Sequence, residues 1–131
     1  MRKKIRVLLA DDHVLVRRGF LMILNTEPDM EVVGEAANGR EAVELAIKLR
    51  PEVVVMDVAM PELNGIEATR RLSEQAPMTR ILALSMHKDS AYVREILRAG
   101  ARGYLLKDAF DRDLVAAVRA VASGEGYLSP A

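Results

Sequence analysis

The chain has 131 residues, half of them hydrophobic and 29% charged, which is one domain large enough to bury its own core. Its 19 basic and 19 acidic side chains cancel, which argues against the chain binding nucleic acid by itself, and the lack of cysteine excludes disulfides, thiolate metal sites and cysteine nucleophiles. No apolar run is long enough to span a membrane and no signal-peptide pattern follows the basic start, so we expect a soluble, cytoplasmic protein with no membrane partner.

In chain order, short apolar runs alternate with helical patterns. Strands are expected over 5–10, 31–36, 52–57, 80–86 and 101–106. The third and fourth are nearly continuous in apolar residues, as parallel strands covered on both faces are. The first helix is expected over 13–25, with Val16, Phe20, Ile23 and Leu24 at helical spacing. Asn38 reads as the N-cap of a second, carrying Ala42, Leu45, Ala46 and Leu49 inward and stopped by Pro51. A third begins near Asn64-Gly65 and runs to about Gln75. A fourth, roughly 89–98, turns Val93, Ile96 and Leu97 inward and ends at a cap glycine, Gly100. A fifth runs over about 110–122 with Leu114, Val118 and Val121 on one face, and Gly124 to Ala131 reads as a tail. Strict alternation means an α/β fold, a doubly wound parallel sheet of five strands with right-handed crossovers and helices on both faces.

In such a sheet, sites form at the carboxyl ends of the strands. There the first strand delivers Asp11 and Asp12, the third Asp57, the fourth Ser85 and the fifth Lys107. Close carboxylates repel by roughly 4 kcal/mol per pair at an effective dielectric of 20. Lys107 can offset one charge. A divalent cation can offset more, and an all-oxygen ligand set favours Mg2+, since no histidine or cysteine is expected at these strand ends. A carboxylate beside magnesium and a lysine can act as a nucleophile toward a phosphoryl group, and the Ser85 hydroxyl could then bond to an oxygen of the new group. Singly, each residue has a plainer account: Asp12 a helix cap, Asp57 a turn residue, Lys107 a solvated charge, Tyr104 a partly buried strand aromatic. Their convergence on one edge favours chemistry.

These residues resemble the receiver domain of two-component response regulators over nearly the whole chain. The resemblance implies a flavodoxin-like (βα)5 fold with strand order 2-1-3-4-5. Asp11 and Asp12 match the acidic pair that holds magnesium. Asp57, in Val-Val-Val-Met-Asp57-Val-Ala-Met-Pro61, matches the phosphoacceptor. Ser85 and Tyr104 match the hydroxyl and aromatic switch positions, and Lys107 the phosphate-binding lysine. The Ala59 backbone carbonyl is implied as a further magnesium ligand. Ala59 and His87 flank the site by sequence, and we expect them to tune dephosphorylation. Finer motifs, Asp11-Asp-His-Val-Leu-Val-Arg17, Val33-Gly-Glu-Ala-Ala-Asn-Gly39, Gly103-Tyr-Leu-Leu-Lys-Asp108 and Gly124-Glu-Gly-Tyr-Leu-Ser129, are similar to the NarL/FixJ subfamily. Its members continue into a LuxR-type helix-turn-helix, which implies a receiver over 1–124, a linker starting at 125–131, and DNA binding only through a C-terminal domain absent from this chain. A sensor histidine kinase is the implied phosphoryl donor, with a homodimer on phosphorylation left open.

The chain departs from the family at Ser85, more often threonine, at Ala59, which offers no polar side chain, and at Asp108, where proline is common. Competing readings are a degenerate receiver that only binds partners, an aspartyl-phosphate hydrolase and a nucleotide- or flavin-binding module. Such a hydrolase uses a second aspartate where Ala59 stands, and the binding module needs a glycine-rich loop where Asp11-Asp12 stands. We therefore expect an acceptor that is not a turnover enzyme.

Overall fold

The computed structural model describes residues 4–60, 63–86 and 90–128, with the side chains of 90, 92 and 109–111 left aside. The chain alternates β1 (Ile5–Ala10), α1 (Val14–Asn25), β2 (Met30–Ala36), α2 (Gly39–Leu49), β3 (Val53–Asp57), α3 (Gly65–Gln75), β4 (Arg80–Ser85), α4 (Ser90–Ala99), β5 (Gly103–Leu106), α5 (Phe110–Ala122) and β6 (Tyr127–Leu128). All strand pairs are parallel, in the order β2-β1-β3-β4-β5-β6.

The sheet therefore has six strands, not five, and the segment expected to be a tail includes β6, which pairs Tyr127 with Gly103 and Leu128 with Tyr104. The reason is tertiary. Without β6, β5 would leave its backbone groups open along an edge, and an edge recruits whatever chain passes it.

The apolar runs predict the layers. One core holds Phe20 and Leu24 of α1 and Leu114, Val118 and Val121 of α5 against Val7, Leu9, Val55, Leu82 and Leu105. The other holds Ala42 and Ala46 of α2, Ala68 and Leu72 of α3 and Ile96 of α4 against Leu8, Val54, Met56, Ile81 and Ala83. Alternate residues of each strand thus serve opposite cores, which is why β3 and β4 carry no polar face. Arg119 of α5 ties the two ends of the first core together by pairing with Glu27 at 2.6 Å and Asp29 at 2.9 Å in the turn before β2.

Helix ends follow local chemistry. The side chains of Asn38 and Asn64 accept from the backbone N–H of Glu41 at 2.8 Å and Glu67 at 2.9 Å, satisfying donors that the first helical turn leaves open. Gly100 ends α4 at φ +121°, where an added Cβ would overlap the Ser73 hydroxyl, so glycine is required both by backbone and by space.

Candidate functional site

Strand order reverses between β1 and β3, since the chain winds outward from β1 to β2 on one side and from β3 to β6 on the other. A crevice opens at such a point, beyond the carboxyl ends of the strands. Asp11 follows the last residue of β1 and Asp57 is the last of β3. The register sets Asp57 beside Leu84 and Ser85 beside Leu106, with Lys107 next. Parallel pairing thus brings together residues up to 96 positions apart, from Asp11 to Lys107.

Asp11, Asp57, Ser85 and Lys107 are all buried, with Asp11 only 1% and Asp57 only 3% exposed. The Lys107 ammonium lies 3.0 Å from Oδ2 of Asp57 and 3.0 Å from Oδ2 of Asp11. One cation therefore bridges two buried carboxylates, an arrangement that stands only because each charge has its partner. Burial pushes the Asp57 carboxyl above its ordinary 3.8, and the neighbouring Asp11 charge adds to this, while the hydrogen bonds from Lys107 and the Ala59 N–H pull it back. Burial alone would lower Lys107, but hydrogen bonds to Asp11 and Asp57 outweigh it and hold the ammonium above its ordinary 10.5.

The surrounding backbone fixes these groups. The Ala59 N–H donates to Asp57 Oδ1 at 3.2 Å, and Ala59 itself is exposed at the mouth. The N–H of Val58 donates to the Leu84 carbonyl at 2.9 Å, locking the ends of β3 and β4 together. Gly65 opens α3 directly against this turn: its N–H donates to the Val58 carbonyl at 2.8 Å, and a Cβ there would overlap the Asp57 carbonyl. Arg17 of α1 donates to the Asp11 main-chain carbonyl at 2.6 Å and to Glu35 at 2.9 Å, bracing the loop after β1.

Asp12, with its side chain 32% exposed, completes three carboxylates at the mouth. It does not cap α1: the cap residue is His13, which makes no side-chain capping bond. The donor set suits a divalent cation. Each of Asp11, Asp12, His13 and Asp57 offers a ligand atom within 4.8 Å of the others, and the buried Asp11 Oδ2 meets the Lys107 ammonium at 3.0 Å. His13 corrects the expectation of no histidine at these strand ends. It stands two residues after Asp11, and the loop turns its ring back over the carboxylates, with Nδ1 3.1 Å from Asp11 Oδ1 and 3.2 Å from Asp12 Oδ1. The sequence signal was Asp-Asp-His itself, a third ligating residue directly after the acidic pair.

Tyr104 is 3% exposed, more deeply buried than a partly covered strand aromatic, and packs in the core under α2, α3 and α4. His87 lies outside the described residues.

A family model described as the response regulator receiver domain matches residues 7–119. The chain is a response regulator receiver domain. It is 46% identical over 127 residues to the transcriptional regulatory protein DegU of Brevibacillus brevis, covering 97% of this chain and 54% of that protein. It is 48% identical over 124 residues to the oxygen regulatory protein NreC of Staphylococcus haemolyticus, covering 94% of this chain and 57% of that protein. The receiver thus spans just over half the length of these curated relatives. Among solved structures, a LuxR-family response regulator from Aurantimonas sp. SI85-9A1 superposes with a TM-score of 0.93 at 38% identity, covering 98% of this chain and 91% of that one. The signal receiver domain of NarL from Mycobacterium tuberculosis gives 0.91 at 36% identity, covering 94% and 99%. The receiver fold and the NarL/FixJ, LuxR-type relationship expected from the sequence are borne out. Among the described residues, no helix is long and apolar enough to cross a membrane.

Proposed function

We propose that Asp57 accepts a phosphoryl group from the phosphohistidine of a sensor histidine kinase. The observation that carries this is the buried Lys107 ammonium held 3.0 Å from both Asp57 and Asp11 at the mouth of the parallel sheet. In the reaction an Asp57 carboxylate oxygen attacks phosphorus, a mixed acyl phosphate forms, and the P–N bond breaks with the kinase imidazole leaving. Burial raises the basicity of the Asp57 carboxylate, which suits a nucleophile. Lys107 then spreads the charge on the transferring oxygens. Asp11, Asp12, Asp57 and the Ala59 carbonyl are the residues that would hold Mg2+, which when bound supplies charge neutralisation at the phosphoryl group.

The chain acts once per phosphoryl group, as an acceptor and not as a turnover enzyme. Ala59 supports this, because it brings no acid or base to the mouth where an aspartyl-phosphate hydrolase would carry one. Ser85 and Tyr104 on neighbouring strands carry the response: the Ser85 hydroxyl binds the new phosphoryl oxygen, and the Tyr104 layer repacks beneath α4. The output is transcription regulation through a DNA-binding domain joined by a linker that starts within 125–131. The DegU relative is named a transcriptional regulatory protein, and the chain covers 54% of it. The place of work is the cytoplasm.

Intact-mass spectrometry after incubation with acetyl phosphate and Mg2+ tests the reading. One added phosphoryl group is expected, lost in Asp57→Asn and with EDTA. No adduct, even with a phosphorylated kinase as donor and rapid quenching, would instead favour a receiver that binds partners without phosphorylation.

A further inference from the structure

We propose that the cavity at the amino end of the sheet is a second binding site, for a small carboxylate on an apolar body, with Arg50 and Arg80 taking its charge. The cavity lies at the opposite end of β3 from Asp57, and phosphoryl transfer makes no use of it.

Its volume is about 390 Å3, and it opens where α2 and α3 end and β3 and β4 begin. That size suits a small molecule. Part of its lining is apolar. Pro51 is buried and Ala76 half-buried, while Ile47 is 39% and Met78 87% exposed. Methionine is flexible enough to close over an apolar group that enters beside it.

Arg50 shows what the polar part is for. It closes α2 at φ 50°, and among the described residues it is the one residue other than glycine with a positive φ. Glycine adopts that backbone freely and arginine does not. Strain kept at such a position points to a use for the side chain. The fold supplies no such use, because the Arg50 guanidinium has no hydrogen bond or ion pair among the described residues. Arg80 also lines the cavity and has no acidic partner among them. Its Nη1 donates to the Ala122 carbonyl at 2.6 Å, which holds the side chain in place and leaves further N–H donors. Elsewhere Arg17, Arg70, Arg71 and Arg119 each pair with an acidic side chain.

The acceptors around the cavity, by contrast, are engaged. The Arg50 carbonyl accepts from Arg6 Nη1 at 2.9 Å, the Pro51 carbonyl from the Thr79 hydroxyl at 2.9 Å, and the Glu52 carbonyl from the Arg80 N–H at 3.0 Å. The carbonyls at the end of α2, which would otherwise repel an anion, thus face the protein's own donors. Glu52 is the one acidic side chain in the lining, and its Oε1 accepts from the Arg6 N–H at 3.4 Å. Two guanidiniums against one carboxylate leave the cavity positive. Guanidinium takes a carboxylate through paired N–H bonds. An inorganic anion would leave the apolar lining bare, and a neutral ligand would leave the arginines without a counter-charge. A carboxylate on a ring-sized apolar body meets both needs.

The test is a 1H–15N NMR titration of the 131-residue chain in EDTA with 3-phenylpropionate, set against 3-phenylpropanol and acetate. We expect saturable binding of 3-phenylpropionate with a Kd of roughly 1–10 mM, and shifts centred on the cavity lining. The alcohol and acetate should each bind ~5-fold or more weakly. Arg50→Gly should weaken 3-phenylpropionate by ~5-fold or more while raising the thermal midpoint, because glycine relieves the left-handed backbone. Arg80→Gln should weaken it as well. That variant also loosens the end of α5, so Arg50→Gly decides. No saturation by ~50 mM, shifts centred on the Lys107 end of the sheet, equal affinity for the alcohol, or wild-type affinity in Arg50→Gly would overturn the proposal. So would an Arg50→Gly chain that melts lower, since the arginine would then be holding the fold. None of these outcomes bears on Asp57 as the phosphoryl acceptor.

Discussion

At the scale of single residues, the site is an electrostatic compromise. Two buried carboxylates share one ammonium, and burial with the Asp11 charge holds the Asp57 pKa above 3.8. A group whose folded-state pKa is raised favours the fold below its ordinary value and withdraws that support as pH rises through the raised one. Asp57→Asn should therefore stabilise the chain at neutral pH, by about 1 kcal/mol or ~3 °C in the thermal midpoint, with the gain shrinking as pH falls toward 3.8. Thermal melts across pH in EDTA would show this, and a destabilised Asp57→Asn would mean that Lys107 contributes more than burial removes. Lys107→Ala works the other way. It strands two buried charges, which costs ~3 kcal/mol, read as a lower urea midpoint and partly restored in the double variant with Asp57→Asn. Asp11, Asp57 and Lys107 were legible in the sequence because the last residue of a parallel strand, or the one after it, points into the crevice. His13 was not, because its ring reaches the carboxylates by a loop that doubles back, and strand periodicity says nothing about loops.

Among the elements, boundaries were legible wherever one residue type has a single conformational use. Asn38 and Asn64 accept helical N–H groups as their positions before glycine suggest, and Gly100 ends α4 with a backbone that other residues rarely adopt. Pro51 marks the end of α2, but nothing in the sequence shows that Arg50 takes the left-handed conformation at φ 50° to close it, donating its N–H to Ala46 at 2.9 Å. The register shift between Val7 and Leu8, where β1 passes β2, is equally silent, because nothing in the sequence of β1 marks it. The two asparagine caps differ in consequence. Asn38→Ala and Asn64→Ala should each cost ~1 kcal/mol in chemical unfolding. Asn64 also precedes Gly65, whose N–H holds the Val58 carbonyl beside Asp57. Asn64→Ala should therefore slow acetyl-phosphate labelling of Asp57 several-fold, while Asn38→Ala leaves it unchanged. Equal labelling rates in both variants would remove α3 from the positioning of the acceptor.

Over the whole molecule, alternation of strand and helix made the doubly wound sheet legible, since the inner strands bury both faces and each helix can cover only one. The sixth strand was hidden for the converse reason. Gly124-Glu-Gly126 has no periodicity, and Tyr127-Leu128 is too short a run to announce a strand; the open edge of β5 supplies the pairing. Its energetic role follows from what it covers. Tyr127 packs partly buried against the α5 core, its carbonyl lies close over Gly103, and the Glu125 N–H returns to the Ala120 carbonyl at 2.9 Å. Burying part of one aromatic ring and pairing two residues is worth ~1–2 kcal/mol, so a chain ending at Gly124 should melt ~3–6 °C lower. Asp57, at the opposite end of the sheet and three places from β6, keeps Lys107 and Asp11, so labelling by acetyl phosphate should proceed at the rate of the full chain. An unchanged melting temperature would show that β5 tolerates an open edge without loss. A lower labelling rate with the expected loss of stability would instead make β6 part of the site, coupled to it through the β5 backbone that leads from Tyr104 to Lys107.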